Sequence, residues 1–250
     1  PLVTAGIWTD EVRVRSYDVT PQGTASVLTL ADYFQEAAGR HAAELGVSMT
    51  DLRADGQAWV LAFMHMQVER LPHQNESIRI ETWPSGLESA SAHREFVFHD
   101  EEGTVLAGGT SRWFVFDVDR RRPVRPPRVL ADIEGPDRPG PIDQDLDALS
   151  APAHTDREQT FTARYHDLDL NRHVNNVRYL EWALETLPAA VLDERRCLGF
   201  AVQFEAETRL GDPVRASAEQ IEDGGTLRVR HRLAHAESDQ TLALVRTTWL

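Results

Sequence analysis

The chain has 250 residues, of which 41% are hydrophobic and 26% charged, and its formal net charge is −14. The length is long for one domain and comfortable for two, and the composition is ordinary for a globular protein. The negative charge argues against general nucleic-acid binding, which needs a basic surface to neutralise phosphates. No run of about 18 apolar residues is present, so we expect no membrane span.

The N-terminus and the cysteine content favour a cytoplasmic location. The opening segment PLVTAGIWTDEVRVR lacks the basic start and apolar stretch of a signal peptide. Cys197 is the single cysteine, which excludes an internal disulfide and a multi-cysteine metal site. It begins an apolar run, where a packed thiol is more common than a reactive one.

The first predicted element is a helix. Apolar residues recur every three or four positions from Leu30 to Leu45, and Gly46 is suited to end the helix. Strand-like runs follow in FMHMQVE, SIRIETW and REFVFHD, and Gly103 marks a hairpin turn.

Residues 119–158 are predicted to be a linker, because seven prolines interrupt them and no hydrophobic period is visible. Positive charge is concentrated there at Arg120, Arg121, Arg122, Arg125 and Arg128. This cluster is either a solvated part of the linker or a docking surface for an acidic partner.

The second half repeats the order of parts. A helix is predicted from Val174 to Leu187, stopped by Pro188, and a hairpin at Gly224 and Gly225 follows.

Matching residues in the two halves indicate an internal duplication. Without a gap, Asp18 aligns with Asp167, and further on Arg70 aligns with Arg209. The predicted fold class is therefore α+β, with one helix against an antiparallel sheet, made twice.

Polar residues crowd into the start of the second helix. Asp169, Asn171 and His173 alternate along the chain, and on an extended strand end they would project to one side. Asp and His form an acid–base pair, and Asn adds an amide donor. The N–H groups of the helix start would stabilise an oxyanion there. Asn175 and Asn176 either cap the helix or join this site.

Metal binding is the rival chemistry for this cluster. No second histidine or cysteine lies at a supporting spacing, so we expect no metal.

The segment DLDLNRHVNNVRYLEW resembles the motif of the acyl-carrier-protein thioesterases of plants and bacteria. The segments AWVLAFMHMQVERLP, IRIETWP and SRWFVFD are similar to strands of that family, so the resemblance spans most of the chain. It implies two tandem hotdog domains, each a long helix wrapped by an antiparallel sheet. Residues 1–118 would hold the acyl pocket, and residues 159–250 would be catalytic.

The resemblance also implies site residues. The family's catalytic Asp, Asn and His correspond to Asp169, Asn171 and His173, and its acidic residue on a following strand corresponds to Glu207, with Glu205 as second candidate. Plant members carry a cysteine beside that acid, where this chain has Thr208, so we expect no thiol mechanism. The first half carries Thr20, Gln22, Thr24 and Val68 at the aligned positions and should be catalytically silent.

The implied reaction is hydrolysis of fatty acyl-acyl-carrier protein, which releases a free fatty acid and ends chain elongation without a cofactor. Either His173 and Glu207 activate water, or Asp169 attacks directly and forms an acyl-anhydride. The acyl pocket is predicted at Phe34, Trp59, Phe63, Met64 and Met66, and the docking site for the acidic carrier protein at Arg121, Arg122 and Arg125.

Several alternatives stay open at this point. The chain could be an acyl-coenzyme A thioesterase, a hydratase or dehydratase on the same fold, or a non-catalytic acyl-thioester binding module. It could be a monomer or a homodimer.

Overall fold

The computed structural model describes residues 3–4, 6–88, 91–125, 130, 133–142 and 148–250. The chain forms two compact units, Pro1–Gln144 and Asp145–Leu250. Arg128 and several other residues of the predicted linker lie outside the described residues. Within the described ranges, no helix is long and apolar enough to cross a membrane.

The first unit places helices against an antiparallel sheet. Its helices are α1 (Val27–Glu44) and α2 (Met49–Ala54), and its strands are β1 (Val3–Thr4), β2 (Trp8–Arg13), β3 (Gln57–Val68), β4 (Ser77–Glu88), β5 (Ser91–His99), β6 (Val105–Asp117), β7 (Arg122–Pro123) and β8 (Ile133–Glu134). The sheet order is β2-β4-β5-β6-β3, with β7 paired to β6. The short strands β1 and β8 pair in parallel.

Helix α1 follows the predicted pattern. The side chain of Ser26 caps its start by accepting a first-turn amide at 3.0 Å. Leu30 and Phe34 are fully buried on the face that the apolar spacing predicted. Gly46 follows the last turn at φ 69°, a left-handed conformation that glycine adopts without steric cost. The predicted helix and its glycine stop are confirmed.

The second unit repeats this arrangement with a shorter first helix. Its helices are α3 (Asn176–Leu184) and α4 (Ala189–Glu194), and its strands are β9 (Arg157–Thr162), β10 (Cys197–Phe204), β11 (Pro213–Asp223), β12 (Thr226–His235) and β13 (Thr241–Trp249). The sheet order is β10-β13-β12-β11-β9. Gly224 and Gly225 form the predicted hairpin turn, both at positive φ. Each unit is thus an α+β hotdog, and the predicted fold class is confirmed.

The turn that precedes the long helix is the same in both units. In the first unit, the amide of Thr20 donates to the carbonyl of Thr24 at 2.8 Å. In the second unit, the amide of Asp169 donates to the carbonyl of His173, also at 2.8 Å. The gap-free alignment of the two helix starts is therefore reproduced by the backbone.

The alignment of the following segment needs a correction. The amide of Ala25 donates to the carbonyl of Pro72, and that of Val174 donates to the carbonyl of Thr208. These equivalent bonds place Leu71, and not Val68, opposite Glu207. The pairing of Arg70 with Arg209 is wrong for the same reason: a short match of residue types is weaker information than the backbone hydrogen bonds that set the register. Leu71, like Val68, has no carboxylate, so the first unit still lacks an acidic residue at the position of Glu207.

The start of the predicted linker is part of the first unit. Asp117 pairs with Arg122, so strands β6 and β7 form a hairpin with Arg121 in its turn at φ 50°. Further along, Arg138 stacks on the ring of Trp83 at 4.1 Å. The segment is therefore partly folded against the sheet and not simply a solvated connection.

Candidate active site

The predicted polar cluster lies in a tight turn at the start of α3. Leu168 and Val174 form an isolated antiparallel bridge, and Arg172 between them adopts φ 62°. The expectation of an extended strand end is wrong here, because a left-handed residue reverses the chain. Asp169 and His173 come together through the turn and not through strand alternation.

The carboxylate of Asp169 organises this turn. Its Oδ1 accepts the backbone amides of Asn171 at 2.8 Å and of His173 at 3.3 Å. Its Oδ2 accepts the side-chain amide of Asn171 at 3.4 Å. Both carboxylate oxygens are therefore engaged in holding the other two residues of the cluster.

His173 and Glu207 form the central pair of the site. The imidazole Nε2 lies 3.2 Å from Glu207 Oε2, and each side chain is 35% exposed. The amide of Val174 donates to the carbonyl of Thr208 at 2.9 Å, which fixes the segment after β10 beside the turn. Arg209 donates to Glu207 Oε1 at 2.7 Å and holds the carboxylate in place. Two partly exposed titratable groups thus meet at a solvent-accessible position of the second unit.

The second acidic candidate lies elsewhere. Glu205 is exposed and accepts a hydrogen bond from the side chain of Gln203. Thr208, at the position of the plant cysteine, is fully buried and accepts the hydroxyl of Tyr179 at 2.9 Å. The structure therefore brings Glu207, and not Glu205, to His173.

Tyr179 is a neighbour of the site that sequence reasoning missed. Burial raises its pKa to about 12, and the nearby charges of Glu207 and Asp169 act in the same direction. Its phenol stays protonated and donates to Thr208 behind the site. The available signal was its position on the first turn of the helix that follows the cluster.

Asn175 caps the start of α3, which is the structural role that the sequence offered for it. Its Oδ1 accepts the amide of Val177 at 2.9 Å, and its own amide donates to the carbonyl of Asp167. Asp167 is buried: burial alone would raise its pKa, but hydrogen bonds from Arg164 outweigh this and lower it. Asn175 and Asp167 therefore support the turn that carries the site.

The five residues predicted for the acyl pocket lie in two different surroundings. A cavity of about 180 Å³ in the first unit is lined by apolar residues including Leu45, Val47, Trp59, Trp113 and Leu130. Of the five predicted residues, only Trp59 lines it. Phe34, Phe63, Met64 and Met66 are at most 2% exposed and belong to the buried core.

The predicted docking residues are on the surface of the first unit. Arg121, Arg122 and Arg125 are exposed in and after the β6–β7 hairpin. The hairpin holds them on a folded element, so their charges have a defined location.

A helix-on-sheet hotdog that presents Asp, Asn, His and Glu beside a helix start is a fold suited to acid–base chemistry on thioesters. The family model described as acyl-ACP thioesterase N-terminal domain matches residues 6–133, and that of the C-terminal domain matches residues 150–250. The chain belongs to the acyl-ACP thioesterase family.

The chain is also similar in sequence and in structure to individual proteins described as acyl-acyl-carrier-protein hydrolases or thioesterases. The chain is 28% identical to acyl-acyl-carrier-protein hydrolase FATB1 of Cuphea viscosissima over 94% of its length, and 29% identical to oleoyl-acyl carrier protein thioesterase 1 of Arabidopsis thaliana over 85%. It spans 60% and 64% of the length of these chloroplastic relatives. A crystal structure from Lactobacillus plantarum described as an oleoyl thioesterase aligns with a TM-score of 0.87 and 27% identity, covering 98% of this chain and 96% of that one.

Proposed function

We propose that the protein hydrolyses the thioester of fatty acyl-acyl-carrier protein and releases the free fatty acid. Family membership supports this reaction, and the relatives include acyl-acyl-carrier-protein hydrolases. The observation that carries the proposal is the pairing of His173 Nε2 with Glu207 Oε2 at 3.2 Å beside the Asp169 turn. Hydrolysis of a thioester needs an activated water, and this pair can hold and deprotonate one.

The proposed reaction uses the pair as a general base. A water beside the His173–Glu207 pair loses a proton to the pair as its oxygen attacks the thioester carbonyl carbon. The carbon–sulfur bond then breaks, the thiol leaves with that proton, and the acyl group remains as a carboxylic acid. General-base assistance of this kind contributes roughly 100- to 10,000-fold in rate. A thiol is a good leaving group, so strong acid assistance is unnecessary.

Asp169 is better suited to positioning than to nucleophilic attack. Its two oxygens accept hydrogen bonds from the backbone of Asn171 and His173 and from the Asn171 side chain. Attack on a carbonyl would convert this carboxylate to an anhydride, which is a weaker acceptor for the bonds that hold the turn. Asn171 Nδ2 has a second N–H, which we assign to polarising the thioester carbonyl.

The carrier protein is the proposed partner. An acidic carrier would be attracted to Arg121, Arg122 and Arg125, which concentrate positive charge in a chain of net charge −14. The cytoplasmic location and the choice between monomer and homodimer stay predictions from the sequence.

Thiol release from acyl-acyl-carrier protein tests the function. We expect wild-type protein to release free carrier thiol, and the Glu207→Gln variant to lose at least about 100-fold in turnover. Glu205→Gln is the matched control, since it removes an exposed carboxylate from the same segment. The same acyl chain on coenzyme A measures carrier preference. Equal rates for wild type and Glu207→Gln would reject the proposed mechanism.

A further inference from the structure

The turn before α3 carries an arginine at a position that suits glycine. Arg172 adopts φ 62°, and its amide donates to the carbonyl of Asp169 at 3.0 Å. In the equivalent turn of the first unit, Gly23 adopts φ 77°, and its amide donates to the carbonyl of Thr20 at 2.9 Å. Glycine takes this left-handed conformation without steric cost, whereas a residue with a Cβ does not. The backbone of the turn therefore favours glycine, and the arginine has to be explained by its side chain.

The side chain of Arg172 does not hold the turn together. It is exposed, and it makes no hydrogen bond, ion pair or ring contact with the part of the chain that the structure describes. Neighbouring arginines differ in this respect, since Arg164 pairs with Asp167 and Arg209 pairs with Glu207. Arg172 is therefore a cation beside the candidate active site whose charge has no counter-ion among the described residues.

Exposed apolar side chains lie in the same turn and in the two segments bonded to it. Leu170, two residues before Arg172, is 92% exposed, Tyr165 is 70% exposed and Leu210 is 57% exposed. A single exposed apolar residue is normal on a protein surface and needs no explanation. A group of them around an unpaired cation is typical of a surface that a partner covers.

Backbone hydrogen bonds bring these side chains to one end of the second unit. The amide of Val174 donates to the carbonyl of Thr208 at 2.9 Å, which joins the turn to the segment after β10. The amide of Gly211 donates to the carbonyl of Ala163 at 2.9 Å, which joins that segment to the residues after β9. The exposed side chains of these three segments form what we call the rim of the candidate active site: Tyr165, Leu170, Arg172 and Leu210.

The first unit does not carry such a rim. The alignment of the two turns and the corrected register of the following segment identify the corresponding residues. They are small or polar, in the order of the rim: Ser16, Pro21, Gly23 and Gln74. The unit without the catalytic groups thus also lacks the exposed cation and the exposed apolar side chains, which indicates that the rim serves the reaction and not the fold.

We propose that the rim is a docking surface for the carrier protein while its acyl thioester lies at His173 and Glu207. This inference rests on the proposed function. An acidic carrier surface supplies the counter-charge that Arg172 lacks, and apolar side chains of the carrier cover Leu170 and Leu210. Arginine and aromatic residues are enriched in protein interfaces, as they are here. The rim is distinct from the basic hairpin of the first unit, and either contact can fail without the other.

Hydrolysis of one acyl chain from two thiols, carrier protein and pantetheine, tests the contact. The measured quantity is the ratio of kcat/KM for the acyl-carrier protein to kcat/KM for the acyl-pantetheine. We expect Arg172→Glu to lower this ratio about 10-fold, because it removes an attraction to the acidic carrier and adds a repulsion. A variant that merely disturbs His173 would lower both values and leave the ratio unchanged.

Arg157→Glu is the matched control, with the same change of net charge. Arg157 is exposed at the end of β9 that lies away from the rim, so the ratio should stay at its wild-type value. Added salt should weaken the effect of Arg172→Glu, because it screens exposed charges. A ratio that Arg172→Glu lowers no more than Arg157→Glu does would overturn the proposal.

Two further measurements test whether Arg172 contacts the carrier protein itself. Acyl-phosphopantetheine has the phosphate of the carrier's arm without the protein, so Arg172→Glu should affect it much less than the acyl-carrier protein. An equal loss for both would place Arg172 on the phosphate and overturn the docking surface. Arg172→Gly, the residue of the first unit, should not lower the melting temperature, since glycine suits φ 62°. A lowered melting temperature would show that the arginine supports the turn, and the inference would be rejected.

The same assay separates the failure of this inference from the failure of the proposed function. Wild-type protein that releases thiol from neither substrate would reject the proposed function together with the docking surface. Thiol release from both substrates, with a ratio that Arg172→Glu leaves unchanged, would reject the docking surface alone.

Discussion

Glu207 reaches His173 from a separate segment of the second unit, with Oε2 lying 3.2 Å from the imidazole Nε2. The contact depends on a backbone hydrogen bond between Val174 and Thr208, the residues that follow His173 and Glu207 in the chain. This bond therefore joins the helix start to the segment after β10, directly beside the proposed catalytic pair. The position of the pair is a property of the backbone, so changes to its side chains should affect chemistry more than folding.

Asn171 and His173 should behave as one unit in turnover. Each single change to Ala is expected to lower the rate at least about 100-fold, and the double variant should be hardly worse than the poorer single one, since residues that act together are non-additive. Melting temperatures should stay close to wild type, because both side chains are partly exposed. Normal turnover per folded molecule in His173→Ala would contradict the assignment.

Reversal of the basic hairpin should affect the carrier protein and spare small substrates. Arg121, Arg122 and Arg125 changed to Glu are expected to raise the Michaelis constant for acyl-acyl-carrier protein while turnover of a small acyl thioester is nearly unchanged. The wild-type constant should rise with salt, because the Debye length falls to about 8 Å at physiological ionic strength. Salt-independent constants that are equal in both proteins would remove the hairpin from the docking site.

We predict opposite effects on stability for alanine substitutions at Gly39, inside α1, and at Gly46, just after it. Gly46 has φ 69°, so Gly46→Ala should lower the free energy of unfolding by about 1 kcal/mol. Gly39 is exposed inside α1, and a Cβ there meets nothing within 4 Å. Gly39→Ala should therefore raise the free energy of unfolding by about 0.5–1 kcal/mol through helix propensity. Urea unfolding of both variants measures the difference, and a shift of the same sign in both would contradict this prediction.

His231 should make the second unit sensitive to acid. It is fully buried between the hydroxyls of Thr186 and Thr247, each 3.2 Å away, and burial lowers its pKa to about 3. Because the folded pKa is below the unfolded value, its contribution is complete above about pH 6.5 and is lost as pH falls toward 3. Between pH 7 and 5 this amounts to about 2 kcal/mol. His231→Gln should flatten the pH dependence of the free energy of unfolding in that range, and an unchanged slope would show that His231 is not its source.

Features that depend on neighbouring residues in the chain could be predicted from the sequence. The apolar spacing of α1 and the glycine at 46 specify a helix and its end, because both act within a few residues. The same holds for the grouping of Asp169 and His173, which one turn of chain brings together. Hydrophobic period and duplication were sufficient for the α+β fold class.

Tertiary structure decided the rest. The hydrogen bond from the amide of Val174 to the carbonyl of Thr208 places Glu207, and not Glu205, beside His173. A short sequence match does not specify which residues of the two segments lie opposite each other. Trp59 lines the cavity while Phe34 is packed in the core, because a cavity is a space between elements and no single segment encodes it. Arg94 looks like an ordinary surface charge in sequence, but in the structure its Nη1 donates to Nδ1 of the buried His41 of α1 at 2.9 Å. Only the pairing of β5 with its neighbours and the position of α1 place that charge in a core.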